Sequence, residues 1–507
     1  MPGAGRPAAS AGKAKAGTEL APAAHGRPWG SLFFSALLSL YYARYCQRPS
    51  PLPSPDPAGH PQQTIPHALA LYQQAAPQEF FDQLRAELNL RCRHGVFTLA
   101  VVIWLMIFQR LHPKGTLSVA VQEAVRQLPA GLVGRPCKRL REGSLSSHTG
   151  AYNQARQKLP VEVVERVSDR IFQQLMADPP EALPGLGRRV FLVDGSTLLM
   201  SHTPALAEAY PPPSNQHGLS HWPVLRMVVA HEVTTGIAMR PQWGPMYGPQ
   251  PVSEQQLIEQ AIQRLPAGSV VMGDRNFGVF SVAWAAQQHQ YPMVLRLTKA
   301  RACAFRVPLV DGTDQWVEWK PSRWDRQAHP DLPPEACVRG RLIVRQVYPS
   351  DGSGPLLLYL FTTLTLPAEQ VVALYGYRWN IETDLRSLKQ TARLYMLDCQ
   401  SPAMVAKELM LAVTAHNLVR VVMHTAAQTA NLAPRCFSFS RVQDVLNAWL
   451  PYLANLPEGP LYQAEWERMM RSVAQCKLYK RKKAVSYPRA TWGRPRVYPS
   501  HKPSEET

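Results

Sequence analysis

YGYRWNIETDLRSLKQ, residues 375–390, is the stretch on which the reading of this chain turns. Tyr375, Arg378, Glu382 and Lys389 follow one another at steps of three, four and seven. A helix rotates about 100° per residue, so these four side chains fall within about 60° of one another. Leu374, Ile381, Leu385 and Leu388 make an apolar stripe beside them, the pattern of a helix packed on a core. Asp384 points about 160° away from Glu382, and its replacement by Asn is expected to leave the fold intact. One reading is a solvated face with Arg378–Glu382 and Glu382–Arg386 pairs, each worth about a few tenths of a kcal/mol. The other is a carboxylate ranked with two cations and a phenol for a purpose. The rest of the chain chooses between them.

Fifty-five Lys and Arg against 36 Asp and Glu leave the 507-residue chain at +19. Such an excess points to a polyanionic partner, either nucleic acid or an anionic membrane surface. The length allows two or three domains with a substantial core, and 46% hydrophobic residues is ordinary for a globular protein. The eight cysteines include no CxxC pair, which argues against a zinc ribbon or disulfide framework and fits reduced thiols in a cytosol. VFTLAVVIWLMIF (96–108) is too short for a bilayer, which takes about 20 residues, and is expected to be a buried core helix. SLFFSALLSLYYARYC (31–46) resembles a signal core, but RPSPLPSPDP follows at once and no clear cleavage site is present. No membrane partner is expected.

Along the chain, residues 1–66 form an Ala-, Gly- and Pro-rich leader of disordered composition. Residues 67–186 carry helical periodicity and the basic stretch RPCKRLREGSLSSHTGAYNQARQKL (135–159), a candidate DNA-binding region or a plain helical core. From 188 the period changes. RRVFLVDGST is expected to be a buried strand that turns at Gly195. VLRMVVAHEV, GIAMRPQW, SVVMGDRNFG and PMVLRLTK follow as strands, with helices at 253–265 and after 279. Alternating strands and helices imply an α/β sheet of mixed strand order. The core's first part is 187–300, and 301–357, with Trp316, Trp319 and Trp324, is expected to be a β-rich insertion. Residues 358–440 resume the core, opening a long helix at 367. Residues 441–507 are a helical segment and a basic tail with nine Lys or Arg between 477 and 502.

Asp194 and Asp274 each follow an apolar run and precede a glycine-containing turn. Each is thereby expected at the carboxyl end of a central strand, where α/β sheets place their ligands. A strand-end aspartate alone is more often a turn former. Two of them combined with Glu382 make a hard, oxygen-rich set suited to two Mg²⁺ or Mn²⁺ ions. Such a pair of ions can activate a water or 3′-hydroxyl in phosphodiester chemistry.

DGS at 194–196, DRNF at 274–277 and the Tyr375, Arg378, Glu382, Lys389 series together resemble the IS4-type DDE transposases. The last motif matches that group's Y-R-E-K signature at every interval, and the likeness covers about residues 70–500. It implies a ribonuclease-H-like catalytic core with a β-rich insertion, a helical N-terminal region and a basic C-terminal tail. By the same resemblance Asp194, Asp274 and Glu382 are the catalytic metal ligands for two Mg²⁺, with Mn²⁺ able to substitute. Tyr375, Arg378, Lys389 and Arg296 are its DNA-contacting residues, and a tryptophan among 316, 319 and 324 stacks on a flipped base where hairpin intermediates form. Trp379 is open between a DNA contact and core packing. The implied activity is cut-and-paste transposition by a cytoplasmic, nucleoid-associated bacterial protein, with transposon ends and target DNA as partners and a homodimer at synapsis.

Two rival readings stand beside this one. A domesticated or inhibitory relative would bind DNA without cutting it, and a membrane-anchored basic protein would rest on residues 31–46 alone. His217 and His221, four apart in NQHGLSH, make a weaker candidate metal pair.

Overall fold

The apolar run at 190–193 opens a nine-stranded sheet, and the strand does not stop at the expected turn. In the computed structural model β1 (Val190–Met200) runs straight through Gly195. The reason is its neighbour: β2 (Val224–Glu232) pairs antiparallel along its length, from Phe191 opposite Glu232 to Leu199 opposite Val224. The structure describes residues 68–478 apart from 91–94, 127, 129–131, 134–135, 178–185, 217, 349–353, 392–393, 395 and 458. The leader with its apolar run at 31–46, His217, and the tail beyond Leu478 lie outside the described residues.

The remaining strands are β3 (Gln242–Pro245), β4 (Val270–Gly273), β5 (Met293–Arg296), β6 (Asp314–Trp319), β7 (Val338–Val347), β8 (Leu356–Thr362) and β9 (Met396–Leu397). Their order is β3-β2-β1-β4-β5-β8-β7-β6, with β9 parallel to the far end of β1. β1, β4 and β5 run parallel to one another; the strands outside them pair antiparallel. The stretch 301–357 carries β6 and β7, which hydrogen-bond on from β8 and so continue the main sheet.

Alternation along β1 shows that both sheet faces are covered. Val190 and Leu192 belong to one core and Phe191 and Val193 to the other, as the period of two requires. The second core holds α2 (Glu254–Ile262) and the helix Phe280–Gln288. The first holds the N-terminal helices, α1 (Gly150–Lys158) among them, together with α3 (Ala368–Gly376), α4 (Asn380–Arg386) and α5 (Pro402–Thr429).

The run at 96–108 supplies the helix Leu99–Leu111, buried at eleven of its 13 positions. A helix apolar on all sides belongs inside a core. α5, about 42 Å long at 1.5 Å per residue, is also long and apolar enough to cross a membrane, but 89% of its apolar window is buried within the protein. It fastens the N-terminal helices to the sheet. At one end Glu408 receives both Arg110 and Arg156. Further along, Asn417 donates to the Ala238 carbonyl at 2.8 Å and accepts from its N–H at 2.7 Å.

Lys407 is the hinge pin of that joint. It is 1% exposed, and its Nζ donates to the carbonyls of Arg156, Gln157 and Leu159 at 2.7, 3.2 and 2.9 Å. These are the orphan acceptors at the C-terminus of α1, where the helix dipole also favours a cation. Burial pulls the ammonium down to about 8, still protonated at neutral pH. Lys407→Met keeps the stem and strands three carbonyls, so it is expected to lower unfolding free energy by on the order of 3 kcal/mol. Urea denaturation measures it, and a change under about 0.5 kcal/mol, the size of an ordinary surface substitution, would contradict this account.

Candidate active site

The register of β1 with β4 brings the first two acids together. Val190 pairs with Val270 and Leu192 with Met272. The same offset carried two residues further sets Asp194 beside Asp274, just past the end of β4. Both share the parity of Leu192 and Met272, whose side chains enter the first core. Both carboxylates therefore face the side on which α4 packs. Asp194 thus sits mid-strand in β1, at the level where β4 has ended.

The long helix expected from 367 forms, but its hydrogen-bond pattern changes along it. α3 gives way to a 3₁₀ turn at Tyr377–Trp379, α4 follows, and a π-helical turn closes the series at Ser387–Thr391. Gly376 and the aromatic residues Tyr377 and Trp379 are weak helix formers, and breaks of both kinds gather at functional sites. The face that the 3.6-residue period assigned to Tyr375, Arg378 and Glu382 turns into the protein rather than toward solvent. Tyr375 is 6% exposed. Arg296, at the end of β5, and Arg378 act electrostatically on its hydroxyl. Arg378 pairs with Glu382 at 3.5 Å and lies 4.4 Å over the Trp379 ring, so Trp379 serves as its platform. Lys389, in the π turn, is half-buried, and desolvation lowers its pKa. No described acid stands within ion-pair distance of it.

The charges do not cancel. Burial and the charge of Asp274 push the Asp194 carboxyl up to about 7. Burial also pushes Glu382 up to about 7, with Asp194 and Asp274 adding to it against Arg378. Burial works against the Arg378 cation, yet Tyr375, Asp274, Glu382 and Asp194 more than restore it. Carboxylates that repel one another in a desolvated place are suited to a divalent cation, which reverses the local charge. Hard oxygen donors fit Mg²⁺ or Mn²⁺. As they stand, no three His, Cys, Asp or Glu side chains among the described residues converge closely enough to hold one ion.

A family model described as a transposase DDE domain matches residues 185–418, the span that contains all three carboxylates. "Transposase InsG for insertion sequence element IS4" of Escherichia coli (strain K12) is 26% identical over 438 residues, covering 83% of this chain and 92% of that protein. Residues 185–418 thus carry the likeness to a transposase DDE domain, and most of the chain resembles an IS4 transposase. Among solved structures, a piggyBac transposase synaptic complex with hairpin DNA matches 81% of this chain and 86% of that one, at a TM-score of 0.38 and 11% identity.

Two groups around this candidate site escaped the sequence reading. Glu254, first residue of α2, feels Asp274, and its pKa is raised, by burial first. An acid in the first turn of a helix is ordinary, so nothing in the spacing singles it out. The second is the surroundings of Asp384. It does point away from Glu382, but into the interior, where it is fully buried between Arg420 and Arg435. The expectation that Asn could replace it with the fold intact is thereby corrected: the opposite side of α4 is core, not solvent. His231 Nδ1 lies 3.8 Å from the same carboxylate, and burial lowers that imidazole to about 4.

The insertion tryptophans separate cleanly. Trp319 packs edge-on against Phe361 and Phe305, at 4.9 and 5.8 Å between ring centres. Trp316 and Trp324 are 55% and 77% exposed. His221 stacks on His202 at 4.6 Å between rings.

Proposed function

We propose that the protein is a cut-and-paste DNA transposase that binds the ends of its own insertion element, cleaves them, and joins the 3′ ends to target DNA. One observation carries the reading: the β1–β4 register puts Asp194 and Asp274 on one face, and α4 packs there with Glu382 and Arg378. The β3-β2-β1-β4-β5 order, with its first two connections antiparallel, supports a ribonuclease-H-like core. Mg²⁺ held by Asp194, Asp274 and Glu382, as two ions with Mn²⁺ as substitute, would supply the Lewis acidity for phosphodiester cleavage.

The chain's own residues do the rest. Arg378 presents its guanidinium group beside the carboxylates, where a phosphate brought to the site needs it, and Arg296 adds a second near Tyr375. Lys389 adds a cation unopposed by any described acid. Exposed Trp316 and Trp324 offer ring faces for an unstacked base, while Trp319 is committed to packing. Two ends brought to one synapse imply a homodimer, and DNA as partner implies a cytoplasmic, nucleoid-associated protein.

The test uses full-length protein, Mg²⁺ and duplexes carrying the inverted repeats that flank its gene. Breaks at the repeat ends with wild type, and none with Asp194→Asn, are expected. Binding by wild type without breaks would instead favour the non-catalytic relative, and absence of binding would sink both. End binding is also expected to be salt-sensitive because of the +19 charge. For six to ten phosphate contacts, affinity drops roughly 10³–10⁵-fold between about 50 and 200 mM salt. A flat response in gel-shift titrations would remove the electrostatic part.

A further inference from the structure

Glu254 approaches the carboxylates from the opposite face of the sheet, at the level where β4 has ended. Its carboxyl group occupies the space that Gly195 leaves open. A Cβ at position 195 would stand 2.4 Å from Glu254 Cδ and 2.5 Å from Oε1. The glycine after Asp194, first read as a turn, has an extended neighbour on each side and instead makes room for an acid. On its other side Glu254 Oε2 accepts a hydrogen bond from Asn276 Nδ2. The Asn276 N–H donates to Asp274 Oδ1 at 2.7 Å, and Gln255 Nε2 donates to the Asn276 carbonyl and Oδ1, both at 3.0 Å. One asparagine therefore ties Glu254 to Asp274, and one missing side chain lets it lie beside Asp194.

We infer that Glu254 is a positioning residue of the proposed metal site: through Asn276 it sets the Asp274 carboxylate, and its charge joins those that hold the cation. This rests on the metal-dependent reading above. A first-turn acid that served only the helix dipole would need neither a glycine cavity nor an asparagine reaching across from the second acid. Ser253 and Gln256 already cap α2 reciprocally, so the helix start does not depend on Glu254. Groups that orient metal ligands typically change metal affinity by roughly 10–100-fold when replaced.

The experiment is calorimetric titration of full-length protein with Mn²⁺, without DNA, for wild type, Asp194→Asn, Glu254→Gln, Gly195→Ala and the double variant Gly195→Ala/Glu254→Gln. Glu254→Gln keeps the length and an acceptor for Asn276 but removes the charge. It is expected to weaken Mn²⁺ binding by about 10-fold or more with its melting temperature within about 2 °C of wild type, the scale of a small perturbation. Gly195→Ala pushes the same carboxylate aside and is expected to cost a similar factor, and the double variant is expected to lose little more than either alone, as coupled neighbours do. Unchanged affinity in Glu254→Gln, alongside loss in Asp194→Asn, would overturn the role of Glu254 and leave the metal site standing. Identical titrations of wild type and Asp194→Asn would overturn both. Should Glu254→Gln melt early, the Gly195→Ala affinity decides: a wild-type value there refutes the inference.

Discussion

Glu382→Gln is expected to abolish strand cleavage while DNA ends are still bound. The side chain keeps its length and its place beside Arg378, but an amide is an uncharged and poorer ligand for a hard cation. If metal-assisted stabilisation of the reaction is worth several kcal/mol, then at about 1.4 kcal/mol per decade the rate falls by on the order of 10³-fold or more. Binding to ends is expected to hold or tighten, because one negative charge beside the phosphates is gone. Arg378→Ala and Lys389→Ala are expected to show the opposite balance, weakening assembly of the end complex more than metal binding. Gel shifts and Mg²⁺-dependent cleavage of the repeat ends measure each. Wild-type cleavage by Glu382→Gln would mean that α4 does not deliver the catalytic acid.

Asp384→Asn is expected to damage the fold rather than the chemistry. The carboxylate is the shared partner of Arg420 and Arg435, both buried. Asn removes the carboxylate that these two buried guanidinium groups share, a loss of about 3–5 kcal/mol when a buried pair is broken. Burial alone would raise the Asp384 carboxyl, but Arg435 and Arg420 hold it well below the usual carboxylate range. For an acid with a depressed folded pKa, the fold gains stability above the unfolded value near 4 and loses it as pH falls below. The gap between wild-type and Asp384→Asn unfolding curves is therefore expected to be widest near neutral pH and to close in acid. The buried neutral His231 adds a separate loss for wild type between about pH 6.5, its unfolded value, and its folded value of about 4. Urea unfolding at pH 7 and pH 3.5 reads both effects. Equal stability at pH 7 would show that the two arginines find other partners.

The face carrying Tyr375, Arg378 and Glu382, the alternating strands and the buried helix at 96–108 were legible because each rests on a local period. Side chains two apart on a strand, or three and four apart on a helix, share a face whatever surrounds them. What a period cannot say is what lies against that face. Gly195 looked like a turn because glycine often is one, yet β2 pairs through it and its missing side chain admits Glu254. The stretch from 367 looked like one regular α-helix because its stripe is continuous, yet Gly376 and the aromatic residues after it, weak helix formers, let it pass through 3₁₀ and π turns. Asp384 looked expendable because the far side of a helix is usually wet, while here Arg420 and Arg435 arrive from 36 and 51 residues downstream. The sequence by itself determined which residues can act together locally. Which strand lies beside which, which acid comes from across the sheet and which charge is buried were decided by the tertiary structure, because those contacts join residues tens to hundreds of positions apart and leave no period in the chain.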